Sequence, residues 1–480
     1  MSSEASEPKI GVFVCKCGGN ISDAVDVVAV CDEAKNWRGV AVADYQEFLC
    51  SEPAQAAIAK AIKERGLDRV VVASCTPRMH LSTFQSVLER SGLNPYLLEF
   101  VNIREQCSWV HGSQKDEATR KAIDLIRGGY MRSFELEPLE EVREKCSKDV
   151  LVVGGGIAGI TASLELGDMG HNVHLVDRYP SIGGNMAKLT KVFPTIDCAQ
   201  CILTPKMAEV GRHKNVRLFT YTEVEDVRGY PGNYGVTLYM KPRGVDVERC
   251  SGCGTCAKVC PATAPDEFNE YRSTRKAAYI PFRQAVPYAY TIDFDACKRC
   301  GLCEDSCPFG AIDLEDRGRR VKINVGAVVL ATGYVPLDAR ELKKYGYGGY
   351  SDVITMMELE RLTAVTGPTG GAVRRFDGDG DVKRLAIVLC AGSRDSQWGV
   401  PYCSRVCCMY SIKQAVLLKD MFGIDVWVYY IDMRAAGRGY EELYNRAQDM
   451  GVVFVRGRVS GIQRDNASGR LKVRSVDTLL

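Results

Sequence analysis

The chain has 480 residues, with 62 Lys and Arg against 60 Asp and Glu, 25% charged and 46% hydrophobic. The charge balance argues against a nucleic-acid binder or a protein drawn to an anionic membrane, and the ordinary globular proportions argue against disorder. The longest apolar runs, such as Val325–Thr332, are too short to span a bilayer.

At roughly 150 residues per domain the length predicts about three domains. The opening MSSEASEPKIG has neither a basic n-region nor an apolar h-region, so export is not indicated and a cytoplasmic protein is expected. In a reducing compartment disulfides seldom persist, so the 21 cysteines read as metal ligands or redox groups.

Residues 9–130 alternate short apolar runs (IGVFV at 10–14, VAVADY at 40–45, RVVVAS at 69–74, LLEFVNI at 97–103) with helical stretches near 53–65, 80–91 and 115–130. The pattern predicts a small α/β domain over 1–133 with a parallel sheet. Cys15 and Cys17 follow the first strand, Cys50 the second, Cys75 the third and Cys107 the fourth. The carboxyl ends of parallel strands open on one edge, so five thiols are expected to converge there and four could hold a cluster. The alternative is a set of unrelated buried cysteines. Cys31 and Cys146 fall outside the pattern and read as structural, and His80 and His111 as packing residues.

Residues 134–147 are charged and read as a linker. A second α/β block is expected over 148–245 and 313–480, interrupted by a cysteine-dense insert at 246–312. The second block opens with Gly154-x-Gly156-x-x-Gly159 after a strand, and Asp177 ends the next strand 23 positions on. Glycines there allow a tight turn and close approach to a pyrophosphate, and the acid suits ribose hydroxyls. Gly183, Gly184 and Asn185, and the later Ala331-Thr332-Gly333, are similar to the flavin domain of the thioredoxin and glutathione reductases and favour FAD over NAD. Ala158, Arg178 and Met186 stand beside these motifs as further candidate cofactor contacts.

In the insert, Cys250, Cys253, Cys256 and Cys260-Pro are followed by Cys297, Cys300, Cys303 and Cys307-Pro. In this run for paired [4Fe–4S] clusters the fourth cysteine of each motif serves the other cluster. One set is therefore Cys250, Cys253, Cys256 and Cys307, and the other Cys297, Cys300, Cys303 and Cys260. The 36 residues between Cys260 and Cys297 exceed what a minimal ferredoxin needs, so a loop is inserted there.

A second dinucleotide fingerprint should follow the strand Leu385–Leu389. The sequence instead places Cys390, Cys403, Cys407 and Cys408 there, with no GxGxxG. This predicts electron exchange with a cluster in place of hydride from a nicotinamide. Lys413, one turn into the following helix, reads by spacing alone as a solvated lysine. Cys198-x-x-Cys201 reads either as a redox dithiol beside the flavin or as ligands to the Cys390–Cys408 cluster.

The motifs CKCG, SCTPR, NIREQCSWVH, DCAQCILTPKM and CAGSRD…PYCSRVCCMYSIK, together with the insert, resemble the A subunit of heterodisulfide reductase over essentially the whole chain. The resemblance implies a component that joins subunits B and C, which in methanogens reduce the CoM-S-S-CoB disulfide, and a hydrogenase or formate dehydrogenase. It implies an FAD that bifurcates, with one electron for ferredoxin and one for a high-potential branch. It raises Cys390, Cys403, Cys407 and Cys408 to cluster ligands and Lys413 to the flavin-contacting lysine, and supports a cluster in the amino-terminal domain. Family members usually continue past SVDTLL (475–480), so a split gene with the remainder on a separate chain, or a truncated sequence, is expected. Alternatives are a non-bifurcating flavoprotein relay, similar to the small subunit of glutamate synthase, and a non-catalytic iron–sulfur docking scaffold.

Overall fold

The computed structural model describes residues 7–376, 381–397 and 400–479. Two compact units, Met1–Arg143 and Glu144–Leu480, are taken in turn.

In the first unit, β1 (Ile10–Cys15), β2 (Val40–Gln46), β3 (Arg69–Ser74) and β4 (Leu98–Asn102) form a parallel sheet in the order β2-β1-β3-β4. The two central strands, IGVFVC and RVVVAS, are almost wholly buried, as helices on both faces of a parallel sheet require. The helices are α1 (Val27–Ala34), α2 (Glu52–Arg65), α3 (Pro77–Arg90) and α4 (Lys115–Ser133). Only α1 is unanticipated; it starts where Asp26 accepts from the amides of Val28 and Ala29. After β4 the chain makes a π-helical turn at Arg104–Ser108, which carries Cys107.

In the second unit, β5 (Val150–Val153), β6 (Val173–Asp177), β7 (Val216–Thr220) and β15 (Ala327–Leu330) form a parallel sheet in the order β15-β5-β6-β7. Helices α5 (Ile157–Asp168) and α6 (Ala199–Arg212) accompany it. Next to it lies an antiparallel sheet of β8 (Thr222–Tyr230), β9 (Asn233–Met240) and β14 (Arg319–Val325), in the order β14-β9-β8. The cysteine-rich insert leaves from the end of β9 and returns at the start of β14, where Met240 and Arg319 are direct partners.

The insert contains α7 (Thr255–Val259), the antiparallel pairs β10 (Thr263–Pro265) with β11 (Thr274–Lys276) and β12 (Ala278–Tyr279) with β13 (Thr291–Ile292), and α8 (Leu302–Asp305). Beyond β15 comes α9 (Met356–Thr363), then a parallel sheet of β16 (Arg384–Val388), β17 (Asp425–Tyr430) and β18 (Val453–Arg456) with α10 (Cys407–Phe422) and α11 (Tyr440–Asp449). A hairpin of β19 (Val459–Arg464) and β20 (Leu471–Ser475) ends the described chain. Among the described residues no helix is long and apolar enough to cross a membrane.

Candidate functional site

The dinucleotide fingerprint folds as its spacing predicts. Gly154 takes φ +106°, and a Cβ there would lie 2.3 Å from the Ala331 carbonyl oxygen. A Cβ on Gly159 would lie 1.8 Å from the Gly154 oxygen, so α5 can pack this closely only with glycine. Nothing stands within 4 Å of a Cβ on Gly156, the amino-terminal cap of α5, which leaves that end open to an anionic group. Asp177 is buried and accepts from the Gly155 amide at 2.7 Å and the Tyr179 amide at 2.8 Å; burial pushes its carboxyl up.

The Asn185 amide donates to the Tyr334 carbonyl at 3.0 Å, so the double-glycine turn meets the Ala331-Thr332-Gly333 turn. Leu330, Tyr334 and Val335 around that turn are 75, 52 and 75% exposed, an apolar strip of the kind an aromatic cofactor covers. Ala158 and Arg178 are exposed, and Met186 packs at the edge of the core. These residues fit a flavin dinucleotide.

Beneath the segment after the double glycine lies a pair of buried charges. Lys413 and Glu360 are both fully buried, with Nζ 2.5 Å from Oε2. Lys413 also donates to the Lys191 carbonyl at 3.2 Å and lies 4.6 Å from the Tyr410 ring. Glu360 accepts from the Thr190 amide and hydroxyl, both at 2.6 Å, and from the Gln414 side chain. Burial pulls the Lys413 pKa down while Glu360 opposes it, and burial beside Glu360 drives Tyr410 well up. The reading of Lys413 as a solvated helix lysine is therefore corrected: α10 packs between the sheet and α9, and its lysine faces inward.

Glu360 was not singled out from the sequence, since a charged stretch such as MMELERLT reads as surface. The usable signal was the Thr355-x-x-Glu358 capping box, which forms. Arg243 was also missed. It is buried and donates to the Pro180 and Tyr290 carbonyls and the Thr220 hydroxyl, tying the insert to the fingerprint sheet.

In the insert, Cys250, Cys253, Cys256 and Cys307 line one cavity, under Tyr290 and Ile312. Cys303 is pushed up by burial and by its neighbours Cys297 and Cys260, which places three of the other set together, while Cys300 is exposed. Backbone amides donate to the sulfurs, Arg299 to Cys297 at 3.3 Å and Ala311 to Cys307 at 3.4 Å, as anionic thiolates require. Among the described residues no group of three or more Cys, His, Asp or Glu side chains is set to hold a single metal ion. A polynuclear cluster, which places its own inorganic core between the thiolates, suits such rings.

The loop between β16 and α10 repeats this local geometry. Arg299 (φ +49°), two residues after Cys297, and Arg405 (φ +61°), two after Cys403, both take the left-handed conformation. The Arg405 amide donates to Cys403 Sγ at 3.3 Å, as Arg299 does to Cys297. Cys390, itself at φ +57°, and Cys408 flank Cys407; their proximity holds Cys407 well down and drives its two neighbours up, and Cys408 Sγ donates to the Asp432 carbonyl at 3.8 Å. These four thiols fit a cluster.

Cys198 and Cys201 are joined as a disulfide at the start of α6. That pairing is compatible with the dithiol reading, and reduction would free both thiols to act as ligands.

At the amino-terminal edge, Cys17 neighbours both Cys15 and Cys75. Arg104 donates to Cys17 Sγ at 3.3 Å, pairs with Glu105 at 2.8 Å and stacks over Trp109 at 4.9 Å. Cys50 is exposed on the turn after β2. Cys107 is fully buried and donates to the Ala118 carbonyl at 3.1 Å, so the π-helical turn aims it at α4. The expected convergence of five thiols is thereby corrected to three, with Cys50 at the rim and Cys107 turned away. Cys31 is a core residue pushed up to about 12 by burial, whereas Cys146 is exposed and not structural.

A family model described as FAD dependent oxidoreductase matches residues 149–199, and one described as 4Fe-4S binding domain matches 244–266 and 290–313. The iron-sulfur A subunit of the CoB--CoM heterodisulfide reductase of Methanocaldococcus jannaschii is 50% identical over 476 residues, 98% of this chain and 72% of that protein. The A subunit of the H(2):CoB-CoM heterodisulfide,ferredoxin reductase of Methanothermobacter marburgensis is 49% identical over 476 residues, 99% of this chain and 72% of that protein. Among solved structures, a thioredoxin reductase of Lactococcus lactis aligns at 11% identity and a TM-score of 0.34, covering 68% of this chain and 74% of its own. The chain is an α/β oxidoreductase that takes FAD and [4Fe–4S] clusters.

Proposed function

The chain belongs to the family of heterodisulfide reductase A subunits, and on that premise we propose that it is the FAD- and cluster-bearing component that splits electron pairs within a heterodisulfide reductase-type complex. One electron of each pair goes to ferredoxin and the other toward a disulfide such as CoM-S-S-CoB. The observation that carries this reading is the loop between β16 and α10, where a second nucleotide would dock. Four cysteines gather there, from the end of β16, the loop and the start of α10, and the turn at Cys403 is shaped like that at Cys297 of the insert. A site for hydride entry is replaced by a site for single electrons.

When bound, FAD supplies a carrier that accepts two electrons together and passes them on singly, while each cluster carries one. Gly154, Gly156 and Gly159 would let a pyrophosphate approach, and Asp177, which braces the fingerprint turn, would supply the acceptor for the ribose. Gly183, Gly184, Asn185, Ala331, Thr332 and Gly333 form the turns that would hold the ring system. The Glu360 carboxylate holds Lys413 in place, and burial leaves the Nζ proton easier to release than that of a surface lysine. That pair biases the flavin's charge and provides a place to hold a proton. The ligand sets are Cys250, Cys253, Cys256 and Cys307; Cys297, Cys300, Cys303 and Cys260; and Cys390, Cys403, Cys407 and Cys408. A fourth draws on Cys15, Cys17 and Cys75.

The name of the Methanothermobacter marburgensis relative joins H2, the CoB-CoM heterodisulfide and ferredoxin. The proposed partners are accordingly subunits B and C, a hydrogenase or formate dehydrogenase and ferredoxin. The test is an anaerobic assay of the purified complex with donor, ferredoxin and disulfide. Ferredoxin reduction should require the disulfide, in a one-to-one electron split. Ferredoxin reduction at an undiminished rate without the disulfide overturns bifurcation.

A further inference from the structure

The loop inserted between the two cysteine motifs of the ferredoxin segment is longer than two clusters need, and its contacts lead away from the cysteines. They run to α9. Glu358 of α9 is 3% exposed, Glu360 0% and Arg361 2%, three buried charges on a helix of eight residues. So short a helix is marginal by itself, and a buried charge without a partner is strongly destabilising, so the partners decide where α9 sits.

At about 100° per residue, Glu358 and Arg361 lie within about 60° of each other, while Glu360 projects about 200° from Glu358. The first two meet the inserted loop. Arg272 Nε donates to Glu358 Oε1 at 2.8 Å, and Arg361 Nε donates to Asn269 Oδ1 at 3.0 Å. Arg361 also donates to the Lys188 carbonyl at 3.0 Å and stacks over Phe268 at 4.6 Å. The same loop holds the turn after the double glycine from the other side, where Lys188 Nζ lies 2.5 Å from Glu270 Oε1. Glu360, on the far side of α9, holds Lys413 and Thr190.

We infer that the inserted loop is the positioning element of the Lys413–Glu360 pair, acting through α9, with Arg272 and Asn269 as positioning residues. The segment that carries two clusters thereby also sets the charge environment of the flavin. This rests on the reading above that Lys413 and Glu360 adjoin the flavin. Arg272 fastens the capping-box residue of α9, and Asn269 fastens the next turn; releasing either lets the helix turn and loosens the grip of Glu360 on Lys413.

The experiment is a redox titration of the full chain with FAD and clusters loaded, followed by flavin absorbance, with FAD and iron contents measured alongside. Glu360→Gln is the reference and should shift the flavin midpoint potential. Arg272→Gln should shift it in the same sense by a smaller amount, at full FAD and iron content, and Arg272→Lys should restore it. Asn269→Ala, which removes the acceptor of Arg361 and the donations to Asp266 and Ser273 within the loop but no charge, should shift it in that sense again and decides the matter if Arg272→Gln does not fold. A flavin potential moved by Glu360→Gln but unmoved by Arg272→Gln or Asn269→Ala overturns the inference while sparing the pair. A potential unmoved by Glu360→Gln and by Lys413→Met removes the pair from the flavin and the inference with it.

Discussion

In the insert, three thiols of each set come from one seven-residue turn and the fourth from its twin. At the edge of the amino-terminal sheet, Cys15 ends β1 and Cys17 follows it, while Cys75 follows β3, 58 residues after Cys17. A ligand set written within one turn is fixed by local backbone geometry. A set assembled from separate strands depends on the register of the whole sheet, and one side chain rotated inward removes a member, as Cys107 shows. The loop between β16 and α10 falls between these cases, with Cys403, Cys407 and Cys408 on one turn and Cys390 supplied from the strand end.

That contrast breaks first at the crossed ligand. Cys307→Ser and Cys250→Ser should abolish the same EPR-active cluster, at a cost of up to about four iron atoms per chain. Cys260→Ser should instead match Cys297→Ser. A Cys307→Ser spectrum matching that of Cys297→Ser would refute the crossing.

The loop after β16 should respond almost as strongly. Cys407→Ser should remove one further cluster at unchanged FAD content, whereas unchanged iron would show that the turn holds none. At the amino-terminal edge the effects should divide. Cys17→Ser and Cys75→Ser should each remove a cluster that Cys107→Ser leaves in place; loss in Cys107→Ser would mean that the π-helical turn rearranges around the metal.

A finer effect comes from Arg104. Removing its donation to Cys17 in Arg104→Gln should keep the cluster and lower its potential by ~40 mV, the one-electron equivalent of a hydrogen bond worth ~1 kcal/mol. An unchanged potential at full iron content would place Arg104 outside the site. The smallest effect is on labelling. With its pKa near 12, Cys31 is only ~10⁻⁴ thiolate at pH 8 and should stay unalkylated in the native protein, while exposed Cys146 should react. Labelling of Cys31 at the rate of Cys146 would show that the first unit opens.

The strands of the amino-terminal sheet and their parallel sense, the fingerprint turn and both insert motifs were legible in the sequence, because each is written as a local period or spacing. What was not legible depends on partners far along the chain. Glu360 meets Lys413 across 53 residues and Thr190 across 170. Nothing in MMELERLT says that a helix with three charges is buried. Arg243 is equally silent, because its acceptors belong to three separate segments. Cys198 and Cys201 show the reverse limit: the spacing was plain, yet it serves a bonded pair and a pair of ligands equally well.

The pairing of Met240 with Arg319 at the root of the insert has a consequence for ancestry. Seventy-eight residues depart and return at a single rung of one antiparallel ladder. A two-residue turn closes the same ladder in an ordinary hairpin. The cluster-bearing module can therefore be gained or lost by a flavoprotein without rethreading a strand or changing the order of its sheets. Such a junction lets a flavoprotein gain two clusters by a single graft, with loops such as 261–296 left to adapt the newcomer to its host.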